Sequence, residues 1–315
     1  MPAFICTMCG TQYTPSDSPP NRCAICDEER QYVSPHGQGW TTLEQLRGSG
    51  KPWLASQRNG YAKYEPELYG IATAPGIGIG QRALLLRTPR GNVLWDCITY
   101  IDDATVDIVG KLGGISVIAI SHPHYYTTMV EWSRAFGRVP ILLHEGDREW
   151  VMQPDPAIEF WKGATREIFP GVTLIHTAGH FAGATVLHWA AGAGGKGALL
   201  TGDSLQVVGP DKTISFMWSF PNLIPLDAST VRRVADAVEP WPYESIYGAW
   251  PEALIKAGGK QILERSVNRY IQAVTQPPPS KRGEAVAQPA PGQLGESESA
   301  TAQSNAPTYR WRHSG

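Results

Sequence analysis

The chain lacks a dominant charge. Its 27 Lys and Arg are balanced by 29 Asp and Glu, a formal net charge of −2 over 315 residues. That balance excludes the extended basic face of a nucleic-acid or anionic-membrane binder, so neither partner is expected. Long apolar runs are missing too; none approaches the roughly 18–20 residues of a membrane span. The start, Met1-Pro2-Ala3-Phe4-Ile5-Cys6, has no basic stretch followed by an apolar core. No secretory leader is therefore expected, and the cytoplasm is the expected location. Cysteine is scarce, with five in all, and unevenly placed. Cys6, Cys9, Cys23 and Cys26 form two C-x-x-C knuckles, while Cys97 stands alone and reads as a small buried filler. In a chain without a leader, paired knuckles argue for a metal site rather than disulfides.

Residues 1–33 accordingly read as a zinc ribbon. The two knuckles set four thiolates around one ion, and Gly10 permits the tight turn after the first. Zinc (Zn2+) is favoured; a rubredoxin-like iron site uses the same ligands and is the less favoured choice. So short a segment cannot bury a core, so the ion supplies its folding energy. A site of four cysteines is coordinatively closed, which suits a structural clip or a protein-docking knob better than catalysis.

Residues 34–275 alternate between strand and helix patterns, the signature of a layered α/β domain. Strands are expected at 83–86, 93–95, 117–120, 140–144, 171–176, 184–189, 197–203 and 244–248. Helices are expected at 41–47, 103–112, 129–136, from 147, at 229–238 and at 257–274. Gly76-Ile77-Gly78-Ile79-Gly80 leads into a strand-like run, not a helix, so it is not a dinucleotide loop. From Gln276-Pro277-Pro278-Pro279 to Gly315 the composition is rich in Pro, Ala, Gln and Ser, and reads as a disordered tail, 276–315.

The chemistry gathers at strand ends. Val117 to Ile120 is a buried-strand run that stops in His122 and His124, two residues apart and so on one face of an extended chain. His180 follows the run 171–176, and Asp203 follows 197–202. Three imidazoles with an acid or water form a common zinc shell.

These residues resemble the metallo-β-lactamase-fold hydrolase superfamily over about residues 65–275. The resemblance is carried by Leu94-Trp95-Asp96, Ser121-His122-Pro123-His124, Thr177-Ala178-Gly179-His180-Phe181-Ala182-Gly183 and Leu200-Thr201-Gly202-Asp203. It implies an αββα four-layer sandwich with metal at one edge of the paired sheets. It also implies that His122, His124 and His180 form the first metal site, joined by Asp203. The family's H-x-H-x-D-H motif has Tyr126 and Thr127 at its last two positions here. Tyr247-Gly248-Ala249-Trp250, where the family's last histidine usually lies, has none. A phenol or a hydroxyl does not replace a carboxylate and imidazoles as ligands. One metal rather than two is therefore expected at this site.

The resulting expectation is a mononuclear zinc hydrolase acting on a small ester, lactone, thioester or amide through a zinc-bound water. Asp203 takes the proton, and Tyr125 or Tyr126 donates to the developing oxyanion. The alternative is a non-catalytic binding or scaffold protein in which Asp203 closes the tetrahedron and the ribbon or tail docks a protein partner. The aromatic segment Ser215 to Asn222 is either a cleft wall or core packing.

Overall fold

Aliphatic strands that alternate sides build two sheets, which stack with helices outside. The computed structural model describes residues 1–51, 55–209 and 212–276. The first sheet has seven strands: β1 Arg58–Glu65, β2 Leu68–Ala74, β3 Arg82–Leu86, β4 Val93–Trp95, β5 Val117–Ala119, β6 Ile141–His144 and β7 Ile158–Trp161. They lie side by side in that order, antiparallel from β1 to β4 and parallel from β4 to β7. The second sheet has six: β8 Thr165–Phe169, β9 Val172–His176, β10 Thr185–Trp189, β11 Ala198–Gly202, β12 Ser245–Gly248 and β13 Leu254–Ile255. Within it, β11 and β12 run parallel and all other neighbours antiparallel.

Successive strand residues point to opposite faces, and the cores divide accordingly. Leu84, Leu86, Val93, Trp95, Val117, Ala119 and Leu142 meet Leu174, Leu187, Ala198 and Leu200 between the sheets. Leu85, Leu94, Ile118, Ile141 and Leu143 face outward onto the helices α1 Asp103–Lys111 and α2 Met129–Ala135, through Val109, Met129, Val130 and Trp132. On the far side, Val186, Leu199 and Ile246 meet α3 Ala228–Val238 and α4 Gly259–Thr275 through Val231, Val234, Leu263 and Val267. Each fully buried aliphatic side chain contributes roughly 1.5–3 kcal/mol. The order helix, sheet, sheet, helix is the expected αββα sandwich. Both outer helices with acidic caps start as their sequence dictates: Asp102 accepts from Thr105 N at 2.8 Å, and Asp227 from Ser229 N at 2.9 Å and Thr230 N at 3.0 Å.

Some expectations shift. The helix expected from Asp147 is a 3-10 stretch, Glu145–Trp150, broken at Asp147. The helix at 41–47 shrinks to Leu43–Leu46, with Thr42 and Gln45 forming a capping box. β1 is a half-exposed edge strand in a stretch where no strand was expected. Cys97 is fully buried, as a filler should be. The glycine-rich 76–80 leads into β3, not a helix. The tail read at 276–315 lies outside the described residues from 277 onward. All described residues, the cysteine knuckles included, fall in one compact unit.

Candidate metal centres

The parallel strands β4 and β5 deliver their C-terminal ends side by side. Beyond β4, Asp96 adopts a left-handed backbone, φ +60°, and turns its carboxylate onto Ser121 N at 2.7 Å. Ser121 Oγ lies 2.9 Å from His122 Nδ1. An Nδ1–H donated there leaves the His122 lone pair at Nε2. Asp203 follows β11 after Gly202, whose φ is +51° and where a Cβ would strike the Ser121 side chain. Only glycine fits that approach.

The two histidines of H-x-H do not converge by strand alternation. β5 ends at Ala119; His122 is extended, and Pro123–Tyr125 is a 3-10 turn. The turn, with proline at its first position, swings His124 back so that its ring lies 5.1 Å from that of His122, centre to centre. His180 comes from the loop after β9, where Ala178 and Gly179 both have positive φ. Its Nδ1–H donates to the Met217 carbonyl at 3.0 Å, so the neutral ring offers its lone pair at Nε2.

His122, His124, His180 and Asp203 each place a donor atom within 4.8 Å of the others, and each is at most 3% exposed. Two contacts set the scale: His122 Nε2 to Asp203 Oδ2 is 3.4 Å, and His180 Nε2 to His124 Nδ1 is 3.3 Å. Ligands about 2.0–2.1 Å from a tetrahedral cation stand about 3.3–3.4 Å apart. Nε2 of His122 is buried with no hydrogen-bond partner. Such orphaned atoms are costly unless something satisfies them. Burial, then the neighbouring histidines, pushes His124 well below the ordinary imidazole value; burial and His122 push His180 down to about 3. Both are therefore neutral at pH 7, the form that binds metal. Burial acts to raise the Asp203 carboxyl, but His122 first, with His180 and the Tyr125 hydroxyl, holds it below its usual range. Three imidazoles and a carboxylate suit a divalent cation, and the residues fit one.

The second group is the knuckles. All five cysteines are free, and Cys6, Cys9, Cys23 and Cys26 form a buried cluster. Cys6 Sγ to Cys26 Sγ and Cys9 Sγ to Cys23 Sγ are both 3.6 Å. That is too long for a disulfide and close to the edge, about 3.8 Å, of a tetrahedron with 2.3 Å metal–sulfur bonds. Gln38 Nε2 donates to Cys6 Sγ at 3.1 Å and Tyr13 OH to Cys23 Sγ at 3.3 Å. Mutual contact splits the thiols: Cys6 is pushed down chiefly by Cys23, and Cys26 is pushed up chiefly by Cys23. A cation at the centre resolves that conflict.

Tyr125 is fully buried and its hydroxyl donates to Asp203 Oδ1 at 2.7 Å. Tyr126 joins the core packed on the first sheet. Of the segment 215–222, Phe216 is core, whereas Phe220 lies 5.9 Å from the His180 ring and Trp218 faces Arg30. His144 and His176 stack on each other, 3.8 Å between ring centres, and are not among the four clustered donors. Sequence reasoning missed Arg30, Asp147 and Trp150. Arg30 donates to the His180 carbonyl at 3.0 Å, and Asp147 accepts from Gly183 N at 2.6 Å. No spacing rule marks them, because Arg30 and Asp147 act on the backbone of a loop distant in sequence and Trp150 packs on the Phe181 ring.

No family model matches the chain. Among solved structures, the metallo-β-lactamase FIM-1 of Pseudomonas aeruginosa, in a mono-zinc form, superposes with TM-score 0.52 at 11% identity, over 69% of this chain and 97% of that one. The metallo-β-lactamase DIM-1 exposed to ceftazidime gives TM-score 0.51 at 11% identity, over 69% and 98%. These likenesses establish the fold. Among curated proteins, the uncharacterized protein YmaE of Bacillus subtilis (strain 168) is 47% identical over 274 residues, 87% of this chain and 97% of YmaE. The chain belongs to the family of YmaE and has the metallo-β-lactamase fold.

Proposed function

We propose that the protein is a cytoplasmic mononuclear zinc hydrolase of small esters, lactones, thioesters or amides, with a second zinc in its cysteine knuckles. The observation that carries the reading is the buried meeting of three imidazoles beside a charged carboxylate, their donor atoms within 4.8 Å of one another, with His122 Nε2 orphaned. A zinc ion bound there supplies Lewis-acid polarisation of a carbonyl and activation of water near neutral pH. The chain's own residues do the rest. Tyr125 holds Asp203 Oδ1 by a buried hydrogen bond. Asp203 Oδ2, facing His122, is then the acceptor for the proton lost by the attacking water. Asp96 and Ser121 fix the His122 ring. Phe220 lies beside the His180 ring and Trp218 beneath the Arg30 guanidinium.

A second reading has an observation of its own. The His122–Asp203 spacing of 3.4 Å matches that of the imidazole pair, so Asp203 can serve as the fourth ligand and close the site. Such a zinc is structural, and the protein a binding scaffold. Metal analysis comes first. Two zinc equivalents per natural chain, falling to one in His122→Ala/His124→Ala, support the metal reading; one equivalent unchanged by that variant sinks it. Turnover of an ester, lactone, thioester and amide panel by the loaded chain then selects the hydrolase. Full loading without turnover selects the scaffold.

A further inference from the structure

The cysteine knuckles reach the His/Asp group through one side chain. Arg30 lies four residues after Cys26 and its side chain is only 9% exposed. Its Nε donates to Glu28 Oε2 at 2.7 Å and its Nη1 to the His180 carbonyl at 3.0 Å. The guanidinium carbon stands 3.8 Å from the Phe181 ring centre, 4.3 Å from that of Trp218 and 5.5 Å from that of Trp150. A planar cation between aromatic faces is held in orientation as well as place. The preceding residue is fastened as well: the Glu29 carbonyl accepts from Ser219 Oγ at 2.7 Å and from Asn222 Nδ2 at 2.8 Å.

His180 needs such support. It sits in an irregular loop with two left-handed residues just before it. Its ring is tied to the Met217 carbonyl and its own carbonyl to Arg30. Met217 and Trp218 are adjacent, so Arg30, Trp218, Met217 and His180 close a ring of contacts around the ligand.

We propose that Arg30 is a positioning residue for His180, and that the cysteine-bound metal, by fixing the chain that leads into Arg30, sets the metal affinity of the His/Asp site. The inference rests on reading His122, His124, His180 and Asp203 as a metal site. Loss of a group that orients a ligand typically weakens metal binding 10–100-fold. The coupling is reciprocal, as any linkage between two binding sites must be.

The test uses the full chain with zinc kept at the cysteines and the His/Asp site stripped and titrated with cobalt(II). Visible absorption gives the affinity and geometry of that site alone, and a thiolate-to-cobalt charge-transfer band reveals exchange into the cysteines. Arg30→Met is expected to weaken cobalt binding 10–100-fold and to alter the visible spectrum. Cys26→Ser is expected to weaken it at least as much. Arg22→Ala, which removes an exposed ion pair to Asp27 in the same segment, should change neither. A folded Arg30→Met with the natural affinity and spectrum overturns the inference while the metal-site reading stands. A natural chain that takes no cobalt at the His/Asp site overturns both. If Arg30→Met does not fold, Glu28→Ala, which removes the acceptor of the guanidinium Nε, carries the test; natural affinity in that variant overturns the coupling.

Discussion

Tyr125→Phe separates two roles for one hydroxyl. The Tyr125 hydroxyl donates to Asp203 Oδ1 at 2.7 Å, with Tyr125 0% and Asp203 3% exposed. No bulk water stands ready to replace it. A buried hydrogen bond to a charged group contributes about 1.5–3 kcal/mol. If all of that falls on the metal-bound state, affinity drops roughly 10- to 100-fold, at about 1.4 kcal/mol per factor of ten. Because the same bond exists in the metal-free chain, part of the loss appears as lower folding stability. Chelator competition on the variant measures the first part, and urea unfolding of the metal-free protein measures the second. The two losses should sum to the hydrogen-bond range. A kcat loss with natural metal affinity and stability refutes the reasoning, because it assigns the hydroxyl to the substrate. A variant unchanged in all three removes the bond from the account altogether.

Other perturbations test other links. Burial raises the Asp147 carboxyl to about 7, above the ordinary 3.8. The folded chain therefore binds the proton more tightly than the unfolded one, and this stabilisation is present at low pH and lost as pH rises from about 4 through about 7. Asp147→Asn should be relatively more stable at pH 8 than at pH 5 when compared with the natural chain by urea midpoint; no pH trend in the difference refutes the shift. Gly202→Ala forces a left-handed residue with a Cβ against Ser121 and should cost at least 1–2 kcal/mol, roughly the left-handed penalty alone. An unchanged unfolding midpoint contradicts that steric account. Asp227→Ala removes the cap of α3 and should cost about 1 kcal/mol in thermal or urea unfolding, with metal content untouched.

The four His/Asp donors were legible because each ends or closely follows an apolar run, and parallel strands bring their C-terminal ends together. The layers were legible because Leu84 and Leu85, or Leu199 and Leu200, must face opposite cores. What the pattern could not carry was the path after a strand stops. His122 and His124 meet through a proline-led 3-10 turn, and the two-residue periodicity expected for them does not continue past Ala119. The same turn brings Tyr125 onto Asp203, while Tyr126 joins the core. Composition hid β1, because its Gly, Asn and Lys suit a loop as well as an edge strand. Arg30 was invisible for a different reason: apart from Glu28, its partners named here lie some 120 to 190 residues away along the chain.

The position of the knuckles bears on the single-metal reading. Gln12 N donates to the Thr127 carbonyl at 3.0 Å, and a Cβ at Gly10 would strike Thr99 and touch Thr127. Thr127 itself is held at φ +37°, with its hydroxyl oxygen buried and unpartnered. In the superfamily that this sequence resembles, positions 126 and 127 belong to an Asp-His pair that serves the second metal. Here the first turns into the core and the second is covered by the cysteine segment. Positions 126 and 127 are thus taken up by core packing and by contact with the cysteine segment.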